Sequence, residues 1–85
     1  MQIQFSSKAW EDYLYWQQID KKMVKKINDL IREIARSPYE GIGKPEPLKH
    51  ALRGYWSRRI TEEHRLVYRV ECSVIQIAQA RYHYE

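Results

Sequence analysis

Tyr55-Trp56-Ser57-Arg58-Arg59-Ile60-Thr61, then Glu62-Glu63-His64, then Arg65-Leu66-Val67-Tyr68-Arg69-Val70: two runs rich in aromatic and β-branched residues flank a short polar connection. That pattern predicts two strands of a β-hairpin. A third run, residues 74–84, begins apolar with Val74, Ile75 and Ile77 and ends in Arg81-Tyr82-His83-Tyr84, as a strand does when it leaves a core. Upstream, Met23, Val24, Ile27, Leu30, Ile31, Ile34 and Ala35 recur at i, i+1, i+4, i+7, i+8. They predict an amphipathic helix that Asp20 can cap and Pro38 ends. Residues 8–19 predict a first helix with Ser6 or Ser7 as N-cap, and with Trp10, Tyr13, Leu14 and Trp16 as a core stripe. Glu11 and Asp12 are expected in its first turn, where the helix dipole favours them. Ile3 and Phe5 alternate with glutamines, which suits a short strand over residues 2–5. The order β, α, α, β, β, β segregates helices from a mostly antiparallel sheet. The expected fold class is therefore α+β: an N-terminal strand, a helical hairpin on one sheet face, and an antiparallel three-stranded run. Residue parity does not settle which face is which, because Arg59, Arg65 and His83 are odd-numbered but so are Ile75 and Ile77.

Eighty-five residues suit a single domain, 1–85, with function on the core's own surface. Fifteen Lys and Arg against eleven Asp and Glu, with three Trp and seven Tyr, favour an anionic partner. Residues 20–36 carry much of the excess, and a solvated helix face explains that equally well. The single cysteine, Cys72, excludes an intrachain disulfide, and no Cys/His spacing resembles a zinc site, so a reducing cytosol and a fold without metal or cofactor are expected. Residues 1–5 do not resemble a signal peptide, and nowhere do 18 apolar residues stand together, so a cytoplasmic chain away from membranes is expected.

Lys44-Pro45-Glu46-Pro47-Leu48-Lys49 sets a carboxylate between two prolines, each fixing its own φ and biasing the preceding residue away from the α region. A carboxylate and an imidazole can act as base and acid in phosphoryl chemistry, with arginine neutralising the charge that grows on phosphorus. RNA hydrolysis through the ribose 2′-OH needs that set, and Arg65 and His83 can supply cation and acid. Each residue also has a plainer reading. Glu46 and His83 suit solvated surface positions, and His50 and His64 are weaker candidates. Arg58, Arg59 and Arg65 can pair with Glu62, Glu63 and Glu71 across the hairpin. Tyr82 and Tyr84 suit edge packing or stacking on an unstacked base.

The runs at residues 10–16, 43–49, 56–68 and 81–84 closely resemble the Txe/YoeB family of the RelE/ParE toxin superfamily, and the likeness covers nearly the whole chain. The resemblance implies a RelE-like fold and a type II toxin–antitoxin pair in which the toxin cleaves mRNA in the ribosomal A site. It implies Glu46 as general base, His83 as general acid and Arg65 as stabiliser of the charged phosphate. Lys49 and Arg59 match residues that hold the scissile phosphate, and Tyr84 matches a ring that orients the substrate base. The implied partners are mRNA, the ribosome, a YefM/Phd-like antitoxin and a second copy of the chain. Departures are peripheral: the Ala51 and Arg53 region, the Cys72-Ser73 turn, and Glu85 after Tyr84. Competing readings are a ParE-like toxin that acts on gyrase without cutting RNA, a DNA-binding module led by the Lys-rich helix, and a purely antitoxin-binding protein.

Overall fold

The computed structural model describes residues 1–83; Tyr84 and Glu85 lie outside the described residues. The elements are β1 (Gln2–Phe5), α1 (Ser7–Ile19), α2 (Lys21–Arg36), β2 (Glu46–Pro47), β3 (Trp56–Arg59), β4 (Arg65–Glu71) and β5 (Val74–Gln79), with a short 3₁₀ turn at His50–Leu52. The strands form one sheet in the order β1-β5-β4-β3-β2, in which β1 runs parallel to β5 and the other neighbours are antiparallel. The expected α+β class holds. No helix among the described residues is long and apolar enough to cross a membrane.

Each helix end has a chemical cause. The Ser6 hydroxyl accepts from the Ala9 N–H at 3.0 Å, which starts α1 at Ser7. Glu11 and Asp12 therefore fall beyond the first turn, where the dipole has little hold on them. Asp20 closes one helix and opens the next: its N–H donates to the Trp16 carbonyl, and its carboxylate accepts from the Lys22 N–H. One residue suffices for the joint. Helix α2 stops at Arg36, two residues before Pro38.

The core joins α2's Met23, Ile27, Leu30, Ile31 and Ile34 to Ile60, Leu66, Tyr68, Ile75 and Ile77 from the sheet side. From α1 it takes Ala9 and Trp16, whereas Trp10 is 46% exposed and stacks at 6.0 Å on Tyr13. The expected aromatic stripe is thus only partly core, because the face that α1 lays on the sheet is centred on Ala9 and Trp16 and turns Trp10 outward. Ala35, at the edge of α2's stripe, is exposed as well.

Two sheet features differ from expectation. Glu46–Pro47 is a two-residue edge strand on β3, not plain loop; proline is tolerated there because an edge strand has one side without ladder bonds. The last strand ends at Gln79, short of residue 84. At the Cys72-Ser73 turn both residues have positive φ, 51° and 62°, as a two-residue hairpin of the twist-matched kind requires.

Arg58 explains how the long connection after α2 is held. The side chain is fully buried, and its hydrogen bonds go to a hydroxyl and to backbone carbonyls. Its Nε donates to the Tyr68 hydroxyl at 3.1 Å, Nη1 to the Ile42 carbonyl at 3.0 Å, and Nη2 to the Ser37 and Glu40 carbonyls at 2.6 and 2.8 Å. The Tyr68 hydroxyl donates in turn to the Pro38 carbonyl at 2.7 Å. Gly43, at φ +84°, lets the same segment cross α2: a Cβ there would lie 2.8 Å from Leu30 Cδ2 and 3.1 Å from Arg58 Cβ. The plainer reading, in which Arg58 pairs with a hairpin glutamate, does not hold, because that guanidinium lies on the core side, where carbonyl oxygens converge.

Replacing Arg58 by leucine would leave three carbonyls and a phenol without their donor. At about 1–3 kcal/mol per orphaned buried group, Arg58→Leu should cost at least about 3 kcal/mol. At ~4–8 °C per kcal/mol for a chain this size, thermal unfolding should drop by more than about 10 °C. By contrast Glu62→Ala, which removes an exposed partner of Arg59, should cost less than about 1 kcal/mol; equal losses in the two variants would contradict the account. Burial pushes the Tyr68 phenol above its ordinary value, opposed by its hydrogen bond and charge interaction with Arg58. A raised value means that the unfolded chain loses this proton first as pH climbs through about 10, so stability from this group is present below that pH and declines above it. In urea titrations from about pH 9 to about pH 11, the parent should lose more stability than Tyr68→Phe.

Candidate functional site

Directly paired residues of a sheet share a face, so register assigns the faces that parity left open. Arg58 pairs with Leu66, and both point to the helices. Ser57 pairs with Val67 and Arg59 with Arg65 on the opposite face, and Glu46 pairs with Ser57. Leu48 and Val67, although buried, stand outside the main core cluster, consistent with that second face. Glu46, Arg59 and Arg65 therefore share one side of the sheet, opposite to Arg58 and Leu66.

A bulge brings β5 onto the same side. Tyr68 pairs with Ile77 but Val67 with Gln79, so Ala78 is an extra residue in the ladder. Parity flips there: Ile75 and Ile77 face the core, while Gln79 joins Val67 on the open face. Ser6 fastens the bulge, its N–H donating to the Ile77 carbonyl at 2.9 Å and its hydroxyl to the Ala78 carbonyl at 3.0 Å.

Beyond Gln79 the chain leaves the regular ladder but stays beside β4. The Asp12 carboxylate, 4% exposed, accepts from the Ala80 N–H at 2.9 Å, and the Trp16 indole donates to the Ala80 carbonyl at 2.8 Å. Tyr82, at φ 64°, donates its N–H to His64 Nδ1 at 2.7 Å, and its carbonyl accepts from the Arg65 N–H at 3.0 Å. The Gln79 carboxamide donates to the Arg81 and His83 carbonyls at 2.8 and 2.9 Å. His83 is exposed, and its chain neighbour Tyr82 carries the backbone bond to Arg65. The His64 ring sits edge-on to Trp16 at 4.8 Å between centroids.

The candidate cations differ in how they are held. Arg65 is buried, and its Nη1 donates to the Thr61 and Glu62 carbonyls at 2.7 and 2.8 Å, so backbone oxygens orient the guanidinium. The expected cross-hairpin ion pair therefore fails for Arg65 too. Arg59 does make one, with Glu62 at 3.1 Å, while Arg69 reaches Glu71 at 3.6 Å. Lys49 is exposed at the start of the 3₁₀ turn and lines a hollow with Glu46, Pro47, Leu48 and His50. Arg59 lines a second hollow with Lys26, Lys44 and Thr61. Tyr84 lies outside the described residues. Among those described, no group of three or more His, Cys, Asp or Glu is placed to hold a metal. Sequence reasoning passed over the part that Asp12, His64 and Gln79 play in holding the tail, which depends on contacts that have no sequence spacing.

The family model for the YoeB-like toxin of bacterial type II toxin–antitoxin systems matches residues 5–84. Toxin YoeB of Escherichia coli K12 is 62% identical over 84 residues, covering 99% of this chain and 100% of that one. Among solved structures, a YoeB/ParE toxin from Agrobacterium tumefaciens superposes with a TM-score of 0.96 at 53% identity, covering 99% of this chain and 100% of that one. The Staphylococcus aureus protein superposes at TM-scores of 0.92 in a YoeB–YefM complex and 0.93 as a YoeB dimer, at 59% and 60% identity, with 99% of this chain and 98% of each covered. With a match in sequence along nearly its whole length and the same fold beneath it, the chain belongs to the family of YoeB-like toxins of bacterial type II toxin–antitoxin systems.

Proposed function

We propose that this toxin is a ribosome-dependent mRNA endoribonuclease, acting in the cytoplasm on message in the ribosomal A site and so inhibiting translation. The observation that carries the reading is the shared face: register sets Glu46, Arg59 and Arg65 on one side of the sheet, and the Arg65–Tyr82 backbone bond brings the tail bearing His83 beside them. A DNA-reading role for α2 fits poorly, since its apolar stripe is spent on the core.

In this reading the Glu46 carboxylate takes the proton from a ribose 2′-OH, and the 2′-oxygen attacks the adjacent phosphorus. The bond from phosphorus to the 5′-oxygen breaks as the His83 imidazolium gives that oxygen a proton. The products are a 2′,3′-cyclic phosphate and a 5′-hydroxyl end. Arg65, already oriented through Nη1, meets the negative charge that builds on the phosphate oxygens. Lys49 and Arg59 hold the phosphate, and Tyr84 orients the base. A YefM/Phd-like antitoxin, acidic where it meets Arg59 and Arg65, silences the enzyme by covering this face, and a homodimer is the second assembly expected from the staphylococcal relative.

Mapping 5′ ends on mRNA in a translating extract tests the proposal. New ends should appear with the parent protein. Because acid or base catalysis is worth ~10²–10⁴-fold, Glu46→Gln and His83→Gln should each weaken them at least about a hundredfold while remaining folded. Arg65→Lys keeps the charge but loses the planar fork, and should also lose most cleavage. Full activity in both the Glu46 and His83 variants would sink the acid–base assignment.

A further inference from the structure

We infer that Gln79 is a positioning residue for His83, acting through the backbone of the tail; the role rests on the ribonuclease reading above. Once the strand ladder stops, the polar backbone groups of the tail must find other partners. Helix α1 takes the Ala80 N–H and carbonyl through Asp12 and Trp16. His64 and the Arg65 N–H take the N–H and carbonyl of Tyr82. The carbonyls of Arg81 and His83 both go to one carboxamide, Gln79 Nε2, at 2.8 and 2.9 Å. A primary amide has two N–H hydrogens; these two short bonds engage them, and the Tyr82 carbonyl stands at a longer 3.4 Å from the same nitrogen.

The location is as telling as the bonds. Gln79 stands on the open face because of the bulge at Ala78, paired with Val67 two residues along β4 from Arg65. The same flip in parity that gives this face a β5 residue thus supplies the group that draws the tail back over it. Arg81 adds weight at the bend, its guanidinium lying over the Tyr15 and Tyr82 rings at 3.5 and 4.5 Å from their centroids. The bonds at Ala80 and Tyr82 fix where the tail turns, and the Gln79 bond reaches past them to the His83 backbone itself. Losing it should leave the turn in place and loosen His83. That predicts a defect in leaving-group protonation and little change in substrate binding.

The test compares two scissile bonds in synthetic mRNA programmed on ribosomes. One is an ordinary phosphodiester, and the other carries sulfur in place of the bridging 5′-oxygen, so that a thiolate departs without needing an acid. Gln79→Leu and the isosteric Gln79→Glu, which can only accept when ionised, should cut the ordinary bond about a hundredfold more slowly than the parent, the loss that a misplacement near 1 Å can cause. The fall should lie in kcat with KM little changed. On the sulfur-containing bond both variants should match the parent within a few-fold, and their thermal unfolding should coincide with it. Equal losses on the two bonds would show that Gln79 supports the fold alone, and undiminished cutting of the ordinary bond would show no role; either overturns the inference. A parent protein silent on both substrates overturns the ribonuclease reading instead, a failure that is told apart because it appears before any variant is compared.

Discussion

A buried arginine bonded to backbone carbonyls sets the shape of this protein's working half. Burying a guanidinium is costly unless its donors are met. At Arg58 they are met by a tyrosine hydroxyl and three carbonyls from one irregular segment. The interaction works in both directions: the part-buried carbonyls of Ser37, Glu40 and Ile42 gain a donor, and the segment leaving α2 is drawn onto the sheet. Gly43 then passes between Leu30 and Arg58, and its carbonyl accepts from the Arg59 N–H at 2.7 Å. Two residues beyond Lys44 the chain meets β3 as an edge strand, with Glu46 opposite Ser57. The position of the proposed base is thus fixed from the core side, by a residue that faces away from it.

The other end of the site is fixed by a defect in the ladder. Without the extra residue at Ala78, the alternation that buries Ile75 and Ile77 would send Gln79 into the helical face. With it, β5 changes sides, and the tail leaves the sheet where helix α1 and the β3–β4 connection can each hold it. Ser6 links the two ends of the chain at this point, capping α1 and bonding the bulge at once. Such economy suits a chain of 85 residues, which has a modest core and little surface to spare.

The helices, their caps and the α+β order were legible because apolar spacing and capping chemistry are local. The face assignment was not. Arg59, Arg65 and His83 share parity with Ile75 and Ile77, and nothing in Ile77-Ala78-Gln79 marks a bulge, since no glycine stands there. Arg58 and Arg59 look alike in sequence, yet one is buried among carbonyls and the other pairs with an exposed glutamate, a distinction made by the side of the sheet alone. Asp12's place in the sequence suggests a helix-dipole role, but its carboxylate serves the Ala80 N–H from 68 positions away. The proline bracket did indicate extended backbone at Glu46, while the pairing of that backbone with β3 depended on Arg58 and Gly43. The roles proposed for Glu46, Arg65 and His83 rest on family resemblance; the register adds that Glu46 and Arg65 share a face.

On the proposed function, this face cleaves RNA with the substrate's own 2′-oxygen as nucleophile. That step is tested most directly by end-group analysis on message carrying a single 2′-deoxynucleotide just 5′ of the scissile bond. Ordinary RNA should yield a 2′,3′-cyclic phosphate, or its hydrolysed 3′-phosphate, with a 5′-hydroxyl on the downstream piece, and the 2′-deoxy bond should stay intact. A 5′-phosphate on the downstream piece, or cutting at the 2′-deoxy position, would contradict attack by the 2′-oxygen.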